Sequence, residues 1–153
     1  MDYQQTATDF LSWLRTQIPL INHMGFKPLE YDGRSLVMSA ELEPNINDKG
    51  TGFGGSLATV ATLCGWSMVT LYRREQGFDN DVVIHTSELE YLRPVTGDFA
   101  AHVCLPDDEA LEVFDAKMAE RGKARLDLEI EIRQQDKVAM RLKGSYVAME
   151  KAR

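Results

Sequence analysis

Apolar and polar residues along the chain repeat with two periods, one suited to strands and one to helices. The clearest alternation covers 124–133, where Ala124, Leu126, Leu128, Ile130 and Ile132 interleave with Arg125, Asp127, Glu129, Glu131 and Arg133. Such a stretch predicts a strand with one face in a core and the other in water. Gln135 and Asp136 predict a turn, and Val138, Met140 and Leu142 carry the pattern on to Tyr146 and Ala148. Leu36, Met38, Ala40 and Leu42 repeat it, as do Phe99, Ala101, Val103 and Leu105. A long strand is predicted over 82–95, closed by Pro94, and another over 24–31, which Pro28 confines to a sheet edge. Asp32-Gly33 and Gly97-Asp98 supply turn signals between them.

Helical spacing occurs three times. Over 6–17, Phe10, Leu14 and Ile18 recur at every fourth position, Thr6 and Asp9 resemble a capping box, and Pro19 stops the helix. A shorter helix starts at Pro106 with Asp107, Asp108 and Glu109 in its first turn. Leu111, Phe114 and Met118 form its inner face, and Gly122 ends it. The third, over 57–74, is different in kind. Leu57, Val60, Ala61, Leu63, Cys64, Trp66, Met68, Val69, Leu71 and Tyr72 leave almost no polar side, which predicts a buried helix. At about 1.5 Å per residue it is roughly 30 Å long. Thr59, Thr62, Ser67, Thr70 and the run Arg73-Arg74-Glu75 argue against a membrane span.

That helix is entered through Gly50-Thr51-Gly52-Phe53-Gly54-Gly55-Ser56, with Gly55 or Ser56 as the expected cap. Free amides and a positive dipole end beside a flexible turn suit an oxyanion or a polarised carbonyl. The order of elements is helix, two strands, buried helix, then four strands with one helical insertion. This predicts an α+β fold, an antiparallel sheet wrapped around one helix with its far face solvated. The 153 residues suit one domain spanning 1–153. Tyr91, Leu92 and Val95 exceed what a single layer covers, so a two-fold dimer is expected.

Net charge is −7 and there is no run of Lys or Arg, so no nucleic-acid partner is expected. Cys64 and Cys104 lack metal or redox spacing, and His23, His85 and His102 lack ligand spacing. No metal or other cofactor is expected. The N-terminus has neither the basic start nor the apolar run of a signal peptide, which predicts a reduced, cytoplasmic protein with no membrane partner. Cys64 reads as a small core residue, and Thr59 and Thr62 as bonded back along their own helix.

Asn47-Asp48-Lys49-Gly50-Thr51-Gly52-Phe53-Gly54-Gly55 resembles the Asn-x-x-Gly-Thr-x-His-Gly-Gly signature of hotdog acyl-CoA thioesterases. Leu92-Arg93-Pro94-Val95 followed by Gly97-Asp98 resembles the third strand and turn of the same superfamily. The resemblance covers almost the whole chain. It is nearest to a subfamily found behind an acetyltransferase-like domain in some bacterial proteins, with members named as thioesterases and some assigned to malonyl-acyl carrier protein decarboxylation. It implies a hotdog fold, a homodimer that pairs further into tetramers in some cases, and short acyl thioesters of acyl carrier protein or coenzyme A as substrates. No pyrophosphate-binding motif of an acetyltransferase is present.

Two departures stand out. Phe53 occupies the usual histidine position, and Ala61 falls where an acid is expected eight residues later. Hydrolysis needs a base or nucleophile, whereas decarboxylation of a malonyl thioester needs a stabilised enolate and a dry pocket. The resemblance therefore implies decarboxylation first, with Asn45 and Asn47 orienting and polarising the substrate and Gly54 and Gly55 forming the oxyanion site. Phe53 keeps the site dry, Ser56 lines it, and Arg93 or Arg73-Arg74 meets a carrier phosphate. Hydrolysis through Asp48 or Glu88 is the alternative, and a non-catalytic acyl-thioester binding module the third.

Overall fold

The computed structural model describes residues 2–152. Helix α1 (Tyr3–Gln17) leads through a 3₁₀ turn (Pro19–His23) to strands β1 (Glu30–Tyr31) and β2 (Ser35–Ala40). A second 3₁₀ turn (Glu43–Asn45) precedes α2 (Gly54–Glu75), and β3 (Asn80–Tyr91) and β4 (Phe99–Cys104) follow. The chain ends with α3 (Asp108–Arg121), β5 (Lys123–Gln134) and β6 (Lys137–Glu150). All strands join one sheet in the order β1-β2-β4-β5-β6-β3, every pair antiparallel.

The sheet wraps α2. Leu128, Ile130, Ile132, Met140, Leu142 and Tyr146 point from β5 and β6 into one buried cluster with Val60, Ala61, Cys64, Met68 and Val69 of the helix. Contact is tightest at Gly65, where an added Cβ would lie 2.2 Å from the Tyr146 hydroxyl. That hydroxyl donates to the Thr62 carbonyl at 2.8 Å, so the missing side chain lets sheet and helix share a hydrogen bond. On its other side α2 is covered by α1. Trp13 stacks on Trp66 with ring centroids 6.1 Å apart, and the Arg74 guanidinium sits 4.0 Å over Trp13. The one helix among the described residues that is long and apolar enough to span a membrane is thus the wrapped core helix.

Several boundaries differ from the sequence expectation. The strand expected over 24–31 reduces to β1 and an isolated bridge between Phe26 and Ala40, because Gly25 turns the chain at positive φ and Pro28 has no N–H to give. Helix α1 is capped by Asp2, which accepts from the Gln5 amide, and not by Thr6, whose hydroxyl donates back to the Asp2 carbonyl. Asp107 caps α3 through the Ala110 amide, one residue after the expected start. Strand β3 stops at Tyr91 because the next two amides, of Leu92 and Arg93, both turn to the Ala139 carbonyl. Helix α2 begins at Gly54 with Phe53 in the cap position and no side chain capping it, so neither Gly55 nor Ser56 is the cap.

Candidate active site at the start of the core helix

The loop before α2 is built by its own polar groups. Asn47 closes it: its Oδ1 accepts from the amides of Lys49 (2.8 Å) and Thr51 (3.1 Å), and its Nδ2 donates to the Thr51 hydroxyl (2.9 Å). Gly50 turns the chain there at φ 76°. Two main-chain bonds then fix the approach to the helix, from the Gly52 amide to the Val95 carbonyl (2.8 Å) and from the Phe53 amide to the Asn45 carbonyl (2.7 Å). Asn45 is itself buried. Its Nδ2 donates to the carbonyls of Met24 and Glu41, both at 2.8 Å, while its Oδ1 is buried without a partner.

What this loop delivers is an open helix end. The Leu57 amide is the first to bond within the helix, to the Phe53 carbonyl at 3.0 Å, leaving the amides of Gly54, Gly55 and Ser56 with no protein acceptor. Two aromatic rings flank them. The Tyr91 hydroxyl donates to the Gly54 carbonyl at 2.9 Å, and a Cβ on Gly55 would lie 2.7 Å from the Phe53 ring. Both rings are 54% exposed, so they border an opening and do not seal it. Three unpaired N–H groups at the positive end of a 22-residue helix suit an anionic or polarised oxygen.

Of the residues singled out in the sequence, Phe53, Gly54, Gly55 and Ser56 come together here. Asn45 and Asn47 contribute by bracing the loop: Asn45 spends both carboxamide donors on the Met24 and Glu41 carbonyls, and Asn47 spends one on the Thr51 hydroxyl. Asp48 pairs with Lys49 at 3.1 Å in the exposed part of the turn. Glu88 stands opposite Lys143 on the outer face of the sheet, since its neighbour Leu89 shares the inner face with buried Leu142. Arg93 is exposed just beyond β3. Ala61 and Cys64 lie in the core, and burial pushes the Cys64 thiol up, away from reactivity. His102 is held neutral mainly by burial, on the outer face of β4. Among the described residues no three His, Cys, Asp or Glu side chains gather as metal ligands. The residue that sequence reasoning missed is Tyr91, which stood out only as surplus apolar surface.

A six-stranded antiparallel sheet closed around one long helix is the hotdog fold. More narrowly, the family model described as "Putative thioesterase (yiiD_Cterm)" matches residues 7–150, and the chain belongs to that family. Among solved structures, a "putative thioesterase" from Shewanella oneidensis is 32% identical, covers 97% of this chain and 99% of its own, and superposes with a TM-score of 0.84. A protein of unknown function from Chlorobaculum tepidum is also 32% identical, with 96% of each chain covered and a TM-score of 0.88. A structure from Pseudomonas aeruginosa shares the fold at 23% identity and a TM-score of 0.74, covering 90% of this chain and 91% of its own.

Proposed function

We propose that this protein hydrolyses acyl thioesters of coenzyme A or acyl carrier protein, with the thioester oxygen on the amides of Gly54, Gly55 and Ser56. The observation that carries the reading is the uncapped start of α2 between Phe53 and Tyr91. Hydroxide from solvent adds to the thioester carbon, the carbonyl pair moves onto oxygen, and the three amides hold the resulting oxyanion. Collapse breaks the carbon–sulfur bond and expels the thiolate, which takes up the proton of the new acid, leaving the carboxylate and the free thiol. Each such donor is worth about 10²–10³ in turnover. No carboxylate or imidazole among the described residues hydrogen-bonds at this opening, so the reading takes hydroxide from solvent as the nucleophile. The rate of hydrolysis should therefore rise with pH, tenfold per unit, without a plateau. A plateau with a midpoint between pH 4 and 7 would overturn this mechanism and reveal a side-chain base.

Decarboxylation of malonyl-acyl carrier protein is the second reading, favoured by the same lack of a base. It is weakened by Asn45, whose two donors would have to leave the Met24 and Glu41 carbonyls to meet a malonyl carboxylate. Mass analysis of the products separates the readings. Free thiol supports hydrolysis, loss of carbon dioxide with the thioester intact supports decarboxylation, and retained binding with no product leaves a binding module.

Residues 1–153 act in this reading as one domain, and as a homodimer paired through β3. That strand is an unpaired sheet edge carrying Val83, Leu89 and Tyr91, with Leu92 just beyond, all exposed. Leu89 faces inward yet nothing in the subunit covers it, and a second copy set edge to edge would do so. Sedimentation should give a dimer or a pair of dimers, and Leu89→Lys should shift it to monomer; a wild-type monomer would refute the pairing. Cys64 and Cys104 are free thiols, which supports a cytoplasmic setting.

A further inference from the structure

Below the open helix end lies an apolar groove, open to solvent along one side, with a volume of about 380 Å³. Ala58, Thr59, Thr62 and Trp66 line it from one face of α2, and Ile18 and Ile21 close it from the connection after α1. Two of the three polar side chains in this wall are spent, while the Thr62 hydroxyl, expected to bond back along its own helix, makes no bond to the protein. The Thr59 hydroxyl donates to the Gly55 carbonyl at 2.8 Å, and the Trp66 indole N–H donates to the Val82 carbonyl. The groove also has a fixed floor, because Trp66 is held by that bond on one side and by the stacked Trp13 on the other. Gly55, Thr59, Thr62 and Trp66 follow at intervals of three and four, so a single helical stripe runs from the free amides to the floor.

We propose that this groove receives the tail of a medium-chain acyl group, of about eight to twelve carbons. The inference rests on the hydrolase reading for one point only, the seat of the carbonyl at the helix start. The reach along the helix sets the length. From Gly55 to Thr62 the helix rises roughly 10 Å, and to Trp66 roughly 16 Å, at about 1.5 Å per residue. An extended chain advances about 1.3 Å per carbon, given a carbon–carbon bond of about 1.5 Å, so eight carbons reach Thr62 and about twelve reach Trp66. A mainly apolar wall suits an alkyl tail and penalises a charged one.

The test is a series of coenzyme A thioesters from two to sixteen carbons, with decanoic acid as a direct binding probe. The kcat/KM should climb by about fourfold per methylene through the medium-chain range and stop rising beyond about twelve carbons. Trp13 and Trp66 are the only two tryptophans, so decanoic acid should change the intrinsic fluorescence whether or not turnover occurs. Ala58→Phe fills the groove and should lower the decanoyl-to-acetyl ratio of kcat/KM by about tenfold or more, and Thr62→Leu should lower it in the same direction. A flat chain-length profile, or saturating decanoic acid that leaves the fluorescence unchanged, would overturn the assignment. A fluorescence response abolished by Ala58→Phe, with no thioester turned over, would support the groove while refuting the hydrolase reading.

Discussion

Replacing Asn45 with alanine separates a residue that builds the site from one that acts in it. The Asn45 carboxamide donates two bonds of 2.8 Å, to the Met24 carbonyl in the interior and to the Glu41 carbonyl nearer the surface. Its removal leaves both acceptors without a donor, at about 1–3 kcal/mol for a buried group and less where water can enter. The truncation also relieves the unpartnered Oδ1, which returns part of that cost. A net loss of about 2–3 kcal/mol follows, equivalent to a fall in Tm of roughly 4–12 °C for a chain of this size. Below the transition the amides of Gly54, Gly55 and Ser56 stay in place, so kcat/KM on a thioester should change by less than about tenfold. A donor to the reacting oxygen would behave in the opposite way, losing about 10²–10³ in turnover at unchanged stability. Thermal denaturation followed by circular dichroism, with kinetics well below the transition, reads both quantities. A variant with wild-type Tm and a hundredfold loss of turnover would show that the structural assignment of Asn45 is mistaken.

Gly65→Ala should destabilise the fold by about 2–4 kcal/mol in urea titrations, since the new methyl meets the Tyr146 hydroxyl and ring. The intrinsic helix preference alone would give a gain of about 1 kcal/mol, so a stabilised variant would refute the close packing of α2 on β6. Asp98 accepts from the Leu42 amide and from Lys27, and these bonds, the amide first, hold its carboxyl below the ordinary carboxylate range. A depressed group contributes its full stability above that range and loses it as pH falls through the lowered value. Asp98→Asn should therefore flatten the acid limb of the Tm–pH curve, and an unchanged limb would exclude the bonds as its source.

Strong alternation made β5 and β6 legible, because a sheet with one wet face imposes its period directly on the residues. The all-apolar run made α2 legible as a core element for the matching reason. The edges were harder. Over 24–31 the alternation suggested a strand, but Gly25 and Pro28 override it through backbone geometry. At the site, the glycines and Phe53 were readable as a helix start, while the bonds that occupy Asn45 run to residues remote in sequence and could not be. Tyr91 reaches Gly54 only because β3 returns beside the start of α2. The groove wall likewise joins Ile18 to Trp66, so the short acyl group implied by the resemblance had nothing in the sequence to set against it. The fold also gathers what the chain scatters: His85, Lys117, Arg121, Lys123 and Arg125 meet around one surface hollow, although no basic run exists.

The groups offered to the thioester oxygen are hydrogens of the main chain, carried by Gly54, Gly55 and Ser56. Exchanging ordinary side chains cannot delete them. A systematic alanine survey would therefore register its largest effects at bracing positions such as Asn45 and remain almost silent at the reacting edge. Proline would remove one such hydrogen but bring a ring and a fixed φ with it, so backbone editing, an ester in place of one peptide link, is the cleaner way to remove a single hydrogen and weigh it.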